Sequence, residues 1–143
     1  MSVNNYIRRH HHLTLSVGNA QEDYDFHTKV LGLKSVKKTA LYDGEEPILH
    51  LYYGNDTGDV SRLITCFPMK HSGRKARKGT GQICTVAQSI PVGSADFWQR
   101  HLQSRGFEVK LTEIGTKAHF LTRMKSHRRV SLSFTLFHSI TYL

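Results

Sequence analysis

Polar and apolar side chains alternate along residues 10–17, the first segment with a clear pattern. Because successive side chains of a β-strand point to opposite faces, the alternation predicts a strand with one apolar and one polar face. The side chains expected on the apolar face are His11, Leu13, Leu15 and Val17. Those expected on the polar face are His10, His12, Thr14 and Ser16. Such a strand suits a sheet that packs on helices with one side and lines a cavity with the other.

The spacing of apolar residues becomes helical after this strand. Asn19 is a suitable N-cap, with Glu22 three residues later, and apolar side chains then recur at helical spacing over residues 20–31. We expect Gly32 to end the helix in a left-handed conformation. Three further strands are predicted, separated by turn-forming residues, at residues 34–42, 48–53 and 62–67.

The same order of elements begins again in the second half of the chain. A strand is predicted at residues 82–90, followed by a helix over residues 94–105 with Ser94 as its N-cap, and Gly106 ends this helix. The side chains that it is expected to bury are Phe97, Trp98 and Leu102. Tyr24 and Phe26 are expected to form the corresponding core of the first half. The remaining predicted strands are residues 108–112, 117–121 and 130–137.

The repeated element order predicts an α+β fold built from two tandem βαβββ modules. The first module is expected to span residues 1–69 and the second residues 82–143, with a basic connector at 70–81. The second module is atypical at its C-terminal end, where a divergent basic tail begins at about residue 114. The two halves together fit one domain of ordinary size.

Composition narrows the class of protein further. The chain has 143 residues, and its two cysteines, Cys66 and Cys84, cannot form a disulfide framework or a cysteine-rich zinc site. No stretch of 18 apolar residues is present, and the first nine residues lack the apolar stretch of a secretory signal. We therefore expect a soluble cytoplasmic protein with no membrane partner.

The net charge of +9 is unevenly distributed. Residues 1–113 contain 15 basic and all 11 acidic residues, whereas residues 114–143 contain five basic residues and no acidic one. Five of the 15 lie in the predicted connector. Neither a recognition-helix pattern nor aromatic stacking residues accompany these charges, so we expect a solvated loop and no nucleic-acid partner. A basic anion binder, whose affinity would fall steeply with salt, is a less favoured alternative.

Several motifs, in order, resemble one family. Paired βαβββ modules suggest the vicinal-oxygen-chelate (glyoxalase) superfamily, and the local sequence resembles its hydroquinone 1,2-dioxygenases, which cleave aromatic rings. The resemblance covers residues 7–112. The motifs that carry it are residues 11–14, 18–23, 36–39, 42–44, 50–53, 65–68, 73–79 and 90–94, together with Trp98, His101 and Leu102.

The resemblance implies an Fe(II) enzyme that opens a (chloro)hydroquinone ring with O2. In that family two histidines and one glutamate hold the iron, and the first histidine stands just before an apolar residue and a threonine. That histidine corresponds to His12, the pocket-lining threonine to Thr14, and the histidine that supports the ligand to His11. A facial triad of this kind suits Fe(II) and leaves positions open for substrate and O2.

The ligand set that the resemblance implies is incomplete in this chain. The family's second histidine and its glutamate lie in a C-terminal pair of modules, and no acidic residue follows Glu113. We therefore expect a truncated N-terminal part with low or no activity alone, although a homodimer would bring a second His12. A frameshift would explain the loss of acidic residues in the tail. Mapping the reading frame downstream of codon 143 tests this hypothesis. Finding no out-of-frame match to the missing C-terminal half would refute the frameshift.

The remaining histidines and Cys66 have simpler structural interpretations, and the whole chain has an alternative function. His50, His101 and His119 lack ligand spacing and are expected to be packing or surface residues. Cys66 is expected to be a small buried side chain. The alternative to an enzyme is a non-catalytic glyoxalase-like module that binds an aromatic small molecule.

Overall fold

The computed structural model describes residues 9–42, 47–69, 85–91, 93–114, 117–123 and 131–136. The chain divides into two compact units, unit 1 (Met1–Lys75) and unit 2 (Ala76–Leu143). This division falls within the range that the sequence predicts as a connector, residues 70–81, which itself lies outside the described residues. Each unit has the element order βαβββ.

Unit 1 contains a four-stranded mixed sheet. Its elements are β1 (His12–Val17), α1 (Ala20–Asp25), β2 (Lys34–Tyr42), β3 (Pro47–Gly54) and β4 (Leu63–Pro68). The strand order is β1-β4-β3-β2; β1 runs parallel to β4, and the other neighbouring pairs are antiparallel. The four strands predicted for this half are confirmed, and β2, β3 and β4 agree to within one residue at each end.

The helix of unit 1 begins as the sequence predicts. The Asn19 side chain accepts hydrogen bonds from the backbone N–H groups of Gln21 and Glu22, at 2.8 and 3.2 Å. These bonds satisfy two of the donors that the first turn of a helix leaves without partners. The predicted capping residue is therefore confirmed.

The second half of the predicted helix differs from the sequence expectation. Residues Phe26–Val30 form a π-helical turn, in which the Leu31 N–H donates to the Phe26 carbonyl at 3.0 Å. The adjacent residues Phe26 and His27 are both buried in this turn. Tyr24 is only half-buried. Gly32 follows with a φ of +72°, as expected for the residue that ends a helix.

Unit 2 contains a second four-stranded sheet and one helix. Its elements are β5 (Thr85–Ile90), α2 (Ala95–Ser104), β6 (Glu108–Ile114), β7 (Lys117–Arg123) and β8 (Ser131–Leu136). The order is β5-β8-β7-β6, with β5 parallel to β8. The basic tail therefore supplies β7 and β8, and the strand predicted at residues 130–137 is confirmed for its described residues.

The helix of unit 2 corrects two sequence predictions. Ser94 occupies the N-cap position of α2, but its hydroxyl donates to the Pro91 carbonyl at 2.6 Å instead of capping the helix. Leu102 is fully buried, whereas Phe97 is 56% exposed, so the predicted burial of Phe97 is wrong. Trp98 and Leu102, four residues apart, share one side of the helix, and Phe97 is turned about 100° away. There the Phe97 ring stacks on His101.

None of the described helices is long and apolar enough to cross a membrane.

Candidate functional site

The two faces of the unit 1 sheet differ in chemistry. One face lies under the helical segment and carries Leu51, Tyr53, Ile64 and Cys66, all buried. The opposite face, called the polar face below, carries His12, Thr14, Lys37, Thr39, His50, Tyr52, Thr65 and Phe67. Strand register places these residues together, because residues paired across neighbouring strands share a face.

His12 and Thr14 lie on the polar face as predicted. Along β1 the exposed residues alternate with half-buried ones, and His12, Thr14 and Ser16 are the exposed ones. Thr14 pairs with Thr65 in the parallel register, and their hydroxyl oxygens are 2.9 Å apart. This hydrogen bond joins β1 to the central strand of the face and holds Thr14 in one orientation.

His11 contacts His12 instead of lying on the apolar face. The two Nδ1 atoms are 2.9 Å apart, and the rings meet edge to face with centroids 5.2 Å apart. Because β1 begins at His12, strand alternation does not constrain the residue before it. The apolar-face prediction for His11 assumed a regular strand at this residue, and the structure begins the strand one residue later. A hydrogen bond between the Nδ1 atoms directs the Nε2 atom of His12 to other ligands.

His50 is a residue of the site that the sequence did not identify. Its ring stacks on Phe67, with centroids 3.9 Å apart, and the Tyr52 hydroxyl lies 2.9 Å from its Nδ1 atom. The residue is only 7% exposed, so the predicted packing role is confirmed. Its Nε2 atom, however, is buried without a hydrogen-bond partner among the described residues. His101 is half-buried in unit 2, and the prediction for the His119 side chain lies outside the described side chains.

A β-bulge adds positive charge to the polar face. The register between β2 and β3 shifts between Ser35 and Lys37, so that Lys37 rather than Val36 pairs with Tyr52. The extra residue turns the Lys37 side chain to the polar face, where its Nζ atom lies 5.5 Å from the Tyr52 ring centroid. The bulge therefore places an ammonium group beside the His50–Tyr52 pair.

The surroundings of His50 lower its pKa from the ordinary value of 6.5. Burial is the largest cause, because it disfavours the charged imidazolium, and the nearby His12 and Lys37 act in the same direction. The lowered pKa favours the neutral form of the His50 side chain.

We expect the free energy of unfolding to fall as the pH drops from about 7.5 to about 5.5, with a contribution from His50. The unfolded chain protonates this histidine near pH 6.5 and the folded chain does so only at lower pH, so unfolding takes up a proton in acid. Urea unfolding at the two pH values measures the loss, which we expect to be smaller in His50→Gln. Equal losses in the two proteins would refute this contribution.

The helix-covered face holds a second, fully buried cluster. Tyr53 donates to a carboxyl oxygen of Asp23 at 2.8 Å, and its ring stacks on His27 with centroids 4.3 Å apart. The Nδ1 atom of His27 lies 3.0 Å from the Asp23 carbonyl and 3.3 Å from its carboxyl group. Burial and contact with Asp23 raise the pKa of both the Tyr53 hydroxyl and the Cys66 thiol.

The ligand atoms of Asp23, His27 and Cys66 lie within 4.8 Å of one another, close enough to surround a metal ion. Their polar atoms are nevertheless engaged with one another and with Tyr53. Burial and the contact with Asp23 raise the pKa of the Cys66 thiol, which therefore acts as a weak donor within this network. We therefore interpret the cluster as a structural hydrogen-bond network. Cys66 is buried, as predicted.

The described residues do not form the two-histidine, one-carboxylate set on the polar face. Among the described residues, the polar face of unit 1 offers imidazole nitrogens from His12 and His50 and no carboxylate. Within the described part of the chain, the one group of three close metal-ligating side chains is the buried cluster on the other face. Of the predicted site residues, His12 and Thr14 are the two that the strand register places on this face.

Comparison with known proteins identifies the family. The model of the glyoxalase/bleomycin resistance protein/dioxygenase superfamily matches residues 9–127, most of the chain and beyond the point to which sequence motifs alone trace a resemblance. The chain belongs to this superfamily.

The relatives with curated descriptions share the ring-cleaving class. The chain is 44% identical over 99 residues to the chlorohydroquinone/hydroquinone 1,2-dioxygenase of Sphingobium indicum, a match that covers 69% of the chain and 31% of that protein. It is 39% identical over 100 residues to MhqE of Bacillus subtilis, whose name describes a ring-cleaving dioxygenase; this match covers 70% of the chain and 32% of MhqE. The matching segment thus spans about a third of the length of these relatives.

Solved structures agree with the fold. A Bacillus subtilis crystal structure described as a dioxygenase superposes with a TM-score of 0.78 at 29% identity, covering 91% of this chain and 41% of that one. A Frankia protein described as a glyoxalase/bleomycin resistance protein/dioxygenase domain superposes with a TM-score of 0.69 at 14% identity, covering 90% and 91%. The second likeness shows the shared fold alone.

Proposed function

We propose that this chain supplies the substrate-facing sheet and one metal ligand of a ring-cleaving dioxygenase that opens a hydroquinone or chlorohydroquinone with O2. The observation that carries the proposal is the placement of His12 and Thr14 together on the polar face, beside aromatic side chains. The 44% identity to a chlorohydroquinone/hydroquinone 1,2-dioxygenase supports this substrate class.

Each polar-face residue has a part in the proposal. The Nε2 atom of His12 serves as a ligand of Fe(II), the cofactor proposed for the reaction. His11 holds the His12 ring through the 2.9 Å contact between their Nδ1 atoms. Thr14, fixed by Thr65, lines the space where the aromatic ring binds. A second histidine and a carboxylate then have to come from another segment or from a second copy of the chain.

The purified chain is expected to show little or no ring cleavage by itself. One imidazole ligand holds Fe(II) too weakly for turnover, and the described residues of the polar face add no carboxylate to it. Oxygen uptake with hydroquinone and added Fe(II), measured together with the mass in solution, tests this expectation. Robust turnover by a metal-loaded monomer would contradict it.

The second candidate is a non-catalytic module that binds an aromatic small molecule. The buried His50, stacked on Phe67 and lacking a partner at Nε2 within the described residues, favours a ligand on this face without requiring a metal. For such a module, the affinity for the aromatic molecule would be unchanged by a chelator and by His12→Ala. Under the dioxygenase proposal, added Fe(II) strengthens hydroquinone binding, and His12→Ala removes that gain.

A further inference from the structure

The His50 side chain is held in one orientation by its neighbours. Phe67 stacks on one side of the ring at an interplanar angle of 20°, and the Tyr52 hydroxyl bonds to Nδ1 at 2.9 Å. Both neighbours lie on the polar face, as does Thr39, the residue paired with His50 on β2. The direction of the Nε2 atom is therefore fixed.

The Tyr52 contact is the basis on which we assign the proton of His50 to one of its two nitrogens. A phenolic hydroxyl is a good donor, and a neutral imidazole nitrogen is its natural acceptor. When Tyr52 donates to Nδ1, the proton of the neutral ring lies on Nε2. Nε2 is then a buried N–H donor without an acceptor among the described residues.

A buried donor without an acceptor destabilises the folded chain, so its presence indicates that an acceptor binds there. Leaving such a group without a partner forfeits the hydrogen bond it made to water, and most buried polar groups therefore have a partner. The surroundings define the chemistry of the missing acceptor. The ring of Phe67 and the ring of Tyr52 favour an aromatic molecule, and the ammonium group of Lys37 favours an electron-rich oxygen.

We propose that the Nε2–H group of His50 donates a hydrogen bond to a ring oxygen of the aromatic ligand bound on the polar face. His50 is then a specificity-determining residue that selects rings bearing a hydroxyl or phenolate oxygen, and Tyr52 is the positioning residue that sets its tautomer. Naming hydroquinone as that ligand rests on the proposed function, but the hydrogen bond itself requires neither iron nor O2.

The experiment compares hydroquinone with p-xylene, which has the same shape but methyl groups in place of the oxygens. Kd values are measured by NMR titration of the full chain, without oxygen and with a chelator present. The wild type is expected to prefer hydroquinone, and His50→Leu is expected to reduce that preference about tenfold, the equivalent of one good hydrogen bond. His50→Gln, which keeps a donor amide, retains part of it. Tyr52→Phe is also expected to lower the preference for hydroquinone, because without the Tyr52 hydroxyl the proton of His50 is no longer held on Nε2.

The affinity for p-xylene serves as the internal check on folding. It is expected to stay within twofold in every variant, because the apolar contacts remain. His101→Gln, the same change at a histidine of unit 2, is expected to leave both affinities unchanged. The thermal midpoint of His50→Leu/Tyr52→Phe is expected to be no lower than that of the wild type, because the pair of polar groups is removed together.

Two results would overturn the inference. One is an unchanged preference for hydroquinone in His50→Leu, and the other is a wild type that binds the two ligands equally. A thermal midpoint of the double variant far below that of the wild type, with the preference intact, would show that the pair is purely structural. Because iron and O2 are absent throughout, a failure of ring cleavage leaves this test unaffected.

Discussion

Replacing Asp23 with alanine is expected to lower the free energy of unfolding by about 2–4 kcal/mol. The carboxyl group accepts a hydrogen bond from Tyr53, a residue with no exposed surface, and it also contacts His27 and Cys66. Alanine leaves the Tyr53 hydroxyl and the Cys66 thiol buried without this acceptor, whereas His27 keeps its 3.0 Å contact with the backbone carbonyl of residue 23. Urea unfolding of the chain at neutral pH measures the change.

Asp25→Ala is the matched control, because it makes the same substitution two residues away. The Asp25 side chain is 40% exposed and pairs with Lys29, which is 61% exposed. Exposed ion pairs contribute little, so we expect no measurable shift of the urea midpoint. Equal destabilisation by the two substitutions would contradict the structural role of the Asp23 network.

Replacing His12 with alanine is expected to have the largest effect on catalysis. A chimera provides the assay, with the matching 99 residues of this chain replacing their counterpart in the Sphingobium indicum enzyme. Replacing a residue that hydrogen-bonds to a metal ligand typically lowers the metal affinity or the activity about 10–100-fold, and replacing the ligand itself lowers them more. Hydroquinone-dependent oxygen uptake should therefore fall more than about 100-fold in His12→Ala.

Two milder substitutions in the chimera test the arrangement around His12. His11→Gln and Thr14→Val are each expected to reduce oxygen uptake about 10–100-fold, because His11 contacts the His12 ring and Thr14 is fixed by Thr65. His101→Gln, remote in sequence and in unit 2, should have no effect. A His12→Ala chimera as active as the unaltered one would refute its role as a ligand.

Much of the fold follows from local sequence patterns. The strict alternation in β1 and the Asn19 cap act over a few residues, so the sequence predicts them well. The π-helical turn does not follow in this way, because the apolar spacing over residues 20–31 is that of a regular helix. The burial of Phe97 was mispredicted for the same kind of reason: spacing alone does not decide which aromatic side chain of a helix faces the core.

The candidate site is only partly readable from the sequence. His12 and Thr14 are recognisable because they stand two residues apart in a strand within a family motif. The roles of His50 and Lys37 depend on cross-strand register, and a one-residue bulge at Val36 decides which side of β2 faces Tyr52. The spacing of Ile48, His50 and Tyr52 on β3 gives a period-2 signal, but nothing local reveals that Nε2 lacks a partner.

Oxygen uptake by the unaltered chimera, measured with hydroquinone and Fe(II), tests whether this chain supplies a working segment of a ring-cleaving dioxygenase, as we propose. We expect consumption of about one O2 per hydroquinone, the stoichiometry of a dioxygenase, with formation of a ring-opened acid. Both the uptake and the acid should be lost in His12→Ala. A correctly folded chimera that consumes no oxygen, or one whose uptake survives His12→Ala, would contradict this proposal.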